Sequence, residues 1–429
     1  RFKTLKSKYT DIDFELTIVC NDSNKFLAKQ QTLEIDSEFK FLIIAEPINR
    51  KTTAAITSAL ERFSEDDSVL VIPSDQIWDD DEFCECVMKL ISNNHEGISF
   101  IGVNPYYPAT RFGYLKSKNG KLISFKEKPT YDESKTYINS EDNSYYWNSG
   151  VLFFKKKIMI EEISKNYKDI VSDMKNIMIN SECNDNILSL NNSLYQNIDS
   201  VSIDYGVLEK YKNGFVIDYN NYWIDIDNDK TLFDFSKKDK NYNLLKSTDE
   251  NNIITIDTEN CLIHSDHKLV TTIGVSNMVI IDTRDSLLVA EKNASLNVSN
   301  IVKILKSRSR SEHVVNPINY KPWGWFINLD GSDFTGHKVK KICVYPNHRL
   351  SLQSHKERSE HWTIVKGLAR VQLGYDIHEL KVNQTLYIPK GVVHRLENIG
   401  EEDVEFIETQ IGSYIGEDDI TRYDDDFGR

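Results

Sequence analysis

Two short clusters of potential metal ligands lie in the last quarter of the chain. The first contains Gln353, His355 and Glu360, and the second ends at His394. Imidazole nitrogens and carboxylates are common zinc ligands, and the amide oxygen of Gln353 could add a fourth donor. A lone histidine on a strand is more often structural than a ligand. Four potential ligands in this order instead predict a metal site.

The spacing of the residues within each cluster indicates how the two clusters could face each other. Gln353 and His355 are two residues apart, so on a strand they point to the same side. In the second cluster, Pro389 and Gly391 predict a turn that presents His394 at the start of the next strand. If the two clusters face each other across a small β-barrel, they form a metal-binding site.

The ligand spacing resembles the two cupin motifs. The first motif is matched by Gln353, His355, Glu360 and Gly367, with Gln in place of its first His. The second motif is matched in full, by Pro389, Gly391, His394 and Asn398. Cupins perform many reactions, so the fold alone does not name one.

The flanking residues narrow the resemblance. From Lys321 to Arg429 the chain is similar to the C-terminal half of the type II phosphomannose isomerase/GDP-mannose pyrophosphorylase family, through Pro322-Trp323-Gly324, Leu350-Ser351-Leu352-Gln353, Glu360-His361-Trp362, His394-Arg395-Leu396 and Gly416-Glu417-Asp418-Asp419-Ile420. This resemblance implies interconversion of fructose 6-phosphate and mannose 6-phosphate at a Zn²⁺ site. It also implies that Arg395 stabilises the enediolate or binds phosphate. The general base is not identifiable, although Glu360, Lys366 and His361 are near in sequence.

The composition limits the class of protein. The net charge of −14 argues against a nucleic-acid partner, which would need a basic face. No apolar run approaches the roughly 20 residues of a membrane-spanning helix, and no signal peptide is visible. The six cysteines are scattered, which favours reduced, buried thiols in a cytoplasmic protein without a membrane partner.

The first part of the chain alternates short apolar strands with helices. Such alternation predicts a mostly parallel sheet that binds ligands at the carboxyl ends of its strands. The expected strands are 14–20, 41–45, 68–73 and 98–103, and the expected helices are 25–35, 53–63 and 83–93.

Three domains are expected in all. Residues 1–230 form an α/β nucleotidyltransferase-like (Rossmann-like) domain. Residues 250–302 contain short β-branched runs punctuated by Asn, Asp and Gly, and they resemble the family's β-solenoid linker, with a plain β-meander as the alternative. A short helix is expected over 302–307, and residues 315–429 form an all-β cupin barrel.

Several motifs in the first half resemble those of sugar-nucleotide pyrophosphorylases. They occur in the family's order, as Glu46-Pro47 with Arg50, Ile72-Pro73-Ser74-Asp75, Phe125-Lys126-Glu127-Lys128-Pro129, Trp147-Asn148-Ser149-Gly150, Ser202-Ile203-Asp204-Tyr205 and Trp223-Ile224-Asp225. The resemblance implies transfer of a guanylyl group from GTP to mannose 1-phosphate.

The same resemblance assigns roles to these residues. Asp75 and Asp225 would hold Mg²⁺, which neutralises charge on the reacting phosphate, and Asp75 would act in catalysis with Lys128, whose ammonium would bind the sugar phosphate. The remaining residues would bind substrate, namely Glu46, Arg50, Glu127, Asn148, Gly150 and Asp204.

The chain departs from the family pattern in two places. The family opens with a glycine-rich loop that cradles the triphosphate, whereas the first glycine here is Gly97. Because the sequence does not begin with Met, we expect an upstream segment to carry that loop. In addition, Gln76 replaces a His, and Asp227 and Asp229 replace a Gly and a Trp.

These observations leave three hypotheses. The leading one is a bifunctional enzyme of GDP-mannose supply, for which a homodimer is one expected state. The second is an isomerase with a degenerate N-terminal domain, and the departures from the family pattern favour it. The third is a non-enzymatic sugar-nucleotide sensor, and the intact ligand set argues against it.

Overall fold

The chain folds into two compact units. The computed structural model describes residues 1–93, 95–140, 142, 144–226, 229–310, 312–313, 317–331 and 335–426. One unit comprises residues 1–282 and 288–298, and the other comprises 283–287 and 299–429. The division into domains at 1–230, 250–302 and 315–429 stays a prediction. Within the described ranges, every helix is too short or too polar to cross a lipid bilayer.

The N-terminal part of the first unit alternates helices and strands, as predicted. Its helices are α1 (Phe2–Lys8), α2 (Lys25–Ile35), α3 (Lys51–Leu60), α4 (Asp80–Asn93), α5 (Tyr131–Ile138), α6 (Lys156–Ile179), α7 (Asn192–Tyr195), α8 (Ile203–Gly206) and α9 (Asp229–Phe235). Its strands are β1 (Leu16–Asn21), β2 (Phe41–Glu46), β3 (Ser68–Val71), β4 (Gln76–Trp78), β5 (Ile98–Val103), β6 (Tyr114–Lys118), β7 (Lys121–Lys126), β8 (Tyr145–Lys155), β9 (Glu182–Asn184), β10 (Ile187–Ser189), β11 (Gly214–Tyr219) and β12 (Trp223–Asp225).

Helix α4 illustrates why these elements form. Phe83, Val87 and Leu90 recur at helical spacing and are buried in one core with Trp147 of β8. The carboxylate of Asp79 accepts a hydrogen bond from the backbone amide of Glu82 (3.0 Å), which satisfies an otherwise unpaired donor at the start of the helix. The acidic first turn also complements the helix dipole.

The expectation of a mostly parallel sheet is wrong. A four-stranded sheet has the order β1-β2-β10-β9, with parallel β1–β2 and β2–β10 pairs. The six-stranded sheet has the order β3-β8-β5-β11-β7-β6, in which only β5–β11 is parallel among the described pairings. The reason is that β8 lies antiparallel between β3 and β5, while β6 and β7 form a hairpin through Asn119 and Gly120, both at positive φ.

A parallel solenoid follows, which confirms the predicted linker and excludes a plain meander. Its strands are β13 (Leu244–Ser247), β14 (Ile253–Ile256), β15 (Leu262–Ser265), β16 (Val270–Ile273), β17 (Met278–Asp282) and β18 (Leu287–Glu291). The pairs β13–β15, β15–β17 and β14–β16 are all parallel, so successive coils stack in register. Helix α10 (Val298–Ser307) then begins four residues earlier than predicted.

The C-terminal part is a barrel of two antiparallel sheets, as the cupin resemblance predicts. The strands are β19 (Ile318–Lys321), β20 (Gly324–Gly331), β21 (His337–Val344), β22 (Leu352–His355), β23 (Arg358–Lys366), β24 (Leu368–Leu373), β25 (Asp376–Lys381), β26 (Thr385–Ile388), β27 (His394–Asn398), β28 (Val404–Gly412) and β29 (Ile420–Asp424). One sheet has the order β19-β20-β21-β28-β23-β26, and the other β25-β24-β27-β22-β29.

Both sheets of the barrel contribute to a single core. Trp362 and Phe406 from the first sheet pack with Val371 and Leu396 from the second. Strand β23 shows the alternation that builds this core, since Arg358, Glu360 and Trp362 are buried and His361 is exposed. The buried face of β23 therefore carries charged groups into the barrel at one end and apolar groups at the other.

All six cysteines are free thiols, as predicted. The expectation that they are buried is wrong for two of them. Cys183 is exposed on a short edge strand, and Cys20 is half-buried on β1. The other four are buried.

Candidate functional site

The predicted metal ligands of the barrel lie on strands whose turns aim them inward. His355 ends β22, and His394 begins β27 as expected. Gly391 has φ +76°, in the left-handed region that glycine adopts at little cost, and its amide donates to the carbonyl of His355 (2.6 Å). The turn before His394 is therefore bonded directly to the strand that carries His355.

Three of the four predicted ligands come together. Potential donor atoms of His355, Glu360 and His394 lie within 4.8 Å of one another. The Nε2 atom of His355 is 3.2 Å from Glu360 Oε1, and the Nε2 atom of His394 is 3.7 Å from Glu360 Oε2. All three side chains are at most 2% exposed. This cluster is shielded from water and has the composition of a zinc site.

The histidine nitrogens fit a bound metal. His394 Nδ1 lies 2.9 Å from the carbonyl oxygen of Val392, a contact that protonates Nδ1 and leaves Nε2 with a free lone pair. Among the described residues, Nε2 of His394 and Nδ1 of His355 lack a hydrogen-bond partner, and the 3.2 Å contact of His355 Nε2 with Glu360 is not aligned as a hydrogen bond. Burial lowers the pKa of His394, which keeps the ring neutral, as a metal ligand must be.

Glu360 is held as an anion by its neighbours. Burial by itself would raise its pKa, but the contact with His355 and the charge of Arg358 hold the pKa well below the usual range. Arg358 Nε donates to Glu360 Oε1 (3.0 Å), and the indole of Trp362 donates to Oε2 (3.1 Å). These bonds orient the carboxylate toward the two imidazoles.

Gln353 occupies the position expected of a fourth ligand. It lies directly across from His394 in the β22–β27 ladder, so the two side chains share a face. Its Oε1 atom accepts a hydrogen bond from Ser351 Oγ (3.0 Å). Its role as a ligand stays a prediction.

Arg395 points away from this cluster. It follows His394 on β27 and therefore faces the other side of the sheet. Its Nη2 atom donates to the carbonyl (3.0 Å) and the carboxylate (2.7 Å) of Asp424 on β29. The predicted catalytic role of Arg395 stays a prediction, and its contacts favour a role in joining β27 to β29. His361 and Lys366 are exposed, so neither is placed to act as the base.

Sequence reasoning missed several buried polar residues around Glu360. Arg358 is 2% exposed and also donates from Nη1 to the carbonyl of Gly416 (3.0 Å). Glu408 and Gln410 project inward from β28, next to Trp362 and Glu360 of β23. Arg358 could have been found from its spacing, because it lies two residues before Glu360 and therefore shares a strand face with it. Strand β28 also carries polar residues on its outer face, Glu405 and Thr409, so its pattern does not mark Glu408 and Gln410 as inward.

In the first unit, a bulge in β8 presents Asn148 and Gly150. Phe100 pairs with Leu152 and Gly102 with Asn148, so β8 has extra residues at this point. Gly150 has φ +77°, and a Cβ atom there would lie 3.0 Å from Pro73 Cγ. The bulge thus requires glycine and brings the Asn148 amide to Asp204, whose Oδ1 accepts from Asn148 Nδ2 (3.2 Å).

Glu127, Lys128 and Asp204 form a charged group beside this bulge. Lys128 Nζ lies 3.8 Å from Glu127 Oε1, and Lys128 has φ +44°. Burial, followed by the nearby charge of Asp204, raises the pKa of Glu127 to about 7. Burial also raises the pKa of Asp204, which accepts from Ser202 Oγ (3.0 Å). A ligand with hydroxyl donors and a phosphate would satisfy both the carboxylates and the exposed ammonium.

Glu46 and Arg50 form hydrogen bonds with residues 195–196, which lie outside the sequence motifs described above. The hydroxyl of Tyr195 donates to Glu46 Oε1, and Arg50 Nη2 donates to the carbonyl of Gln196. Burial raises the pKa of Glu46. The hydroxyl of Thr52 accepts from the backbone amide of Ile203 (2.8 Å), so the start of α3 is joined to the start of α8, the helix that carries Asp204.

The backbones of the two predicted magnesium ligands lie close together. Strand β12 pairs with β4, which places Asp225 opposite Gln76, and the amide of Ile226 donates to the carbonyl of Asp75 (2.8 Å). Gln76, the departure from the family His, donates to the carbonyl of Ser149 (2.6 Å) and is buried. Of the other departures, Asp227 and the side chain of Asp229 lie outside the described residues.

A cavity of about 890 Å³ lies in the first unit. Its lining includes Thr52, Gly150 and Asp204, together with apolar side chains of β1, α3 and β3. Of the predicted substrate-binding residues, Gly150 on β8 and Asp204 on α8 border this space, whose size is that of a small-molecule site.

Comparison with known families covers nearly the whole chain. Residues 5–242 match the Nucleotidyl transferase family, residues 251–305 the MannoseP isomerase/GMP-like beta-helix domain, and residues 308–425 the Mannose-6-phosphate isomerase C-terminal family. The three matches follow one another in the order of the three described parts of the fold.

Individual relatives are also similar to this chain over nearly its whole length. The chain is 33% identical to "Alginate biosynthesis protein AlgA" of Pseudomonas putida, over 96% of this chain and 86% of that protein. It is 32% identical to a "Mannose-1-phosphate guanylyltransferase" of Salmonella montevideo, over 96% of this chain and 88% of that protein. A solved structure of a "mannose-1-phosphate geranyltransferase" from Thermus thermophilus has a TM-score of 0.54 at 23% identity, covering 68% of this chain and 99% of that one, which supports the fold.

Proposed function

Because this chain belongs to the family in which a nucleotidyl transferase domain, a β-helix and a mannose-6-phosphate isomerase domain follow one another, we propose that it is a bifunctional enzyme of GDP-mannose supply. One site interconverts fructose 6-phosphate and mannose 6-phosphate. The other joins mannose 1-phosphate to GTP, with release of diphosphate.

The isomerase reaction is assigned to the cluster of His355, Glu360 and His394, with Gln353 beside it. We propose Zn²⁺ as the metal, because two imidazoles and one carboxylate suit it. When bound there, it polarises the substrate oxygens while a proton moves between C2 and C1. The protein's own contribution is to hold Glu360 ionised through Arg358 and Trp362 and to exclude water around the buried ligands.

The guanylyltransferase reaction is assigned to the polar groups of the first unit that lie on the pyrophosphorylase-like motifs, around the bulge of β8. An oxygen of mannose 1-phosphate attacks the α-phosphorus of GTP, and the bond to the β-phosphate oxygen breaks. Asp75 and Asp225 are the proposed Mg²⁺ ligands, and Lys128 would bind the sugar phosphate. Glu46, Arg50, Glu127, Asn148, Gly150 and Asp204 are proposed to bind the substrates. Their carboxylates and amides suit sugar hydroxyls as hydrogen-bond partners.

The observation that carries the isomerase proposal is the buried, mutually close set of His355, Glu360 and His394, with ring nitrogens that lack partners. The test measures conversion of mannose 6-phosphate to fructose 6-phosphate by the purified full-length protein, before and after chelation. We expect activity to disappear with the metal and to return with zinc. Activity that survives complete metal removal would contradict the proposed site.

The guanylyltransferase is tested in the same preparation, by formation of GDP-mannose from GTP and mannose 1-phosphate with Mg²⁺. We expect product. Isomerase activity without any GDP-mannose would favour the alternative of an isomerase with a degenerate N-terminal domain. Absence of both activities, in protein that still binds GDP-mannose, would favour a sensor.

The proposal also includes a cytoplasmic location and a homodimer. The free thiols of all six cysteines agree with a reducing compartment. Cell fractionation tests the location, and light scattering of the purified protein tests the homodimer, since a monomeric mass would contradict it.

A further inference from the structure

The segment that follows β28 is bonded to residues on both sides of the metal cluster. We call residues 416–424 the strap. Its strand β29 pairs with β22, with Arg422 opposite Gln353 and Ile420 opposite His355. The carbonyl of Gly416 accepts from Arg358 Nη1 (3.0 Å), and Arg358 in turn donates to Glu360. The strap therefore contacts the strand of one ligand and the arginine that orients another.

Asp419 makes the most specific of these contacts. Its Oδ1 accepts from the backbone amide of Lys356 (3.2 Å), and its Oδ2 accepts from the backbone amide of Glu357 (3.1 Å). Lys356 and Glu357 are the two residues that connect β22 to β23. One carboxylate thus binds both amides of a turn, and hydrogen bonds to a charged acceptor are roughly twice as strong as neutral ones.

The position of this turn determines the spacing of two ligands. His355 is the last residue before the turn, and Glu360 is the third residue after it. A small displacement of the turn would move the His355 ring relative to the Glu360 carboxylate, which are 3.2 Å apart at Nε2 and Oε1. It would also move Arg358, the residue that begins β23.

We infer that Asp419 is a positioning residue for the metal site of the proposed isomerase, acting through the 356–357 turn without touching the metal. The inference rests on the proposed function, because it supposes that the cluster binds a metal. Residues that orient metal ligands typically contribute about 10–100-fold to metal affinity. We therefore expect Asp419→Ala to weaken zinc binding by about 10–100-fold.

The experiment titrates Zn²⁺ into metal-free full-length protein against a chromophoric chelator. It compares the wild type with Asp419→Ala, Asp419→Asn and Asp418→Ala. The Asn variant keeps one amide oxygen as an acceptor, so its affinity should lie between those of the wild type and the Ala variant. Asp418→Ala is the matched control. Asp418 accepts a hydrogen bond from the Tyr414 hydroxyl (2.6 Å), a contact that does not involve the 356–357 turn. Its affinity should equal that of the wild type.

Isomerase kinetics give a second readout. At saturating zinc, most of the activity of Asp419→Ala should return, because the residue acts by placing the ligands. A purely structural role would lower the melting temperature of the metal-free variant and leave the zinc affinity of the folded protein unchanged, and that result would overturn the inference. If Asp419→Ala fails to fold, wild-type affinity in Asp419→Asn would overturn it equally.

Failure of the proposed function gives a different result. A wild-type protein that binds no zinc would overturn the isomerase metal site, and the inference with it. Tight zinc binding that is equal in the wild type and both Asp419 variants would overturn the inference alone.

Discussion

Glu360 and Glu408 share two hydrogen-bond donors inside the barrel. The indole nitrogen of Trp362 lies 3.1 Å from Glu360 Oε2 and 3.0 Å from Glu408 Oε2. The amide nitrogen of Gln410 lies 3.1 Å from Glu360 Oε1 and 2.8 Å from Glu408 Oε1. Two buried carboxylates held this close are costly to ionise together. The pKa of Glu360 is held low, whereas burial and the charge of Glu360 raise the pKa of Glu408 to about 8.

The first prediction concerns pH and the metal-free protein. The folded state holds the Glu408 proton up to a pKa of about 8, whereas an unfolded glutamate releases it near a pKa of about 4.3. The stability contributed by this proton is complete below the unfolded pKa and is lost as pH rises toward 8. We expect the melting temperature of the barrel, measured calorimetrically with a chelator present, to fall with rising pH in this window, and to fall less in Glu408→Gln.

Glu405→Gln is the control for that measurement. Glu405 lies on the same strand, β28, but pairs with Lys341 (2.6 Å), and both side chains are partly exposed. Its pH profile should parallel that of the wild type. A Glu408→Gln profile with the same slope as the wild type would contradict the prediction.

The second prediction concerns His394. His394→Ala removes an imidazole whose Nε2 faces Glu360, so we expect loss of stoichiometric zinc and of isomerase activity, with guanylyltransferase activity nearly unchanged. Metal content per chain and both activities are measured on one preparation. His361→Ala is the control, because His361 is exposed on the outer face of β23 and should leave zinc and activity intact. Parallel loss of both activities in a folded His394→Ala protein would contradict the two-site proposal.

The third prediction concerns Lys128. Its side chain is 54% exposed and its ammonium lies 3.8 Å from Glu127, as expected of a group that binds an incoming phosphate. In the full-length enzyme, Lys128→Ala should raise the KM for mannose 1-phosphate by about tenfold or more, since a charge-assisted hydrogen bond contributes about 1.5–3 kcal/mol. The KM for GTP should change less. Lys126→Ala, on the exposed face of β7, is the control, and equal kinetics in the two variants would rule out a phosphate-binding role.

The fourth prediction concerns Gly150. Alanine there would adopt a left-handed conformation, at a cost of about 1–2 kcal/mol, and would also press on Pro73. We expect Gly150→Ala to lower the melting temperature and to weaken binding of mannose 1-phosphate. Gly274→Ala is the control for conformation alone, because Gly274 has φ +64° and nothing within 4 Å of an added Cβ. If Gly150→Ala is no more damaging than Gly274→Ala, the close approach to Pro73 is unimportant.

The local features of this protein could be predicted from the order of its residues. Two-residue spacing predicted the inward aim of Gln353 and His355, and the Pro389–Gly391 turn predicted the start of β27 at His394. Helix α2 and strand β5 begin and end where the pattern of apolar residues places them. Such features depend on residues that are close together in the chain, so the sequence alone can predict them.

The meeting of distant strands could be seen only in the folded protein. The antiparallel placement of β8, the pairing of Arg395 with Asp424, and the sharing of donors between Glu360 and Glu408 all join residues far apart in the chain. The same holds for Asp419, which lies 62 and 63 residues from the two backbone amides whose hydrogen bonds it accepts. The physical reason is that strand order and register are set by packing of the whole barrel or sheet, and a buried polar group takes whichever partner that packing brings within hydrogen-bond distance.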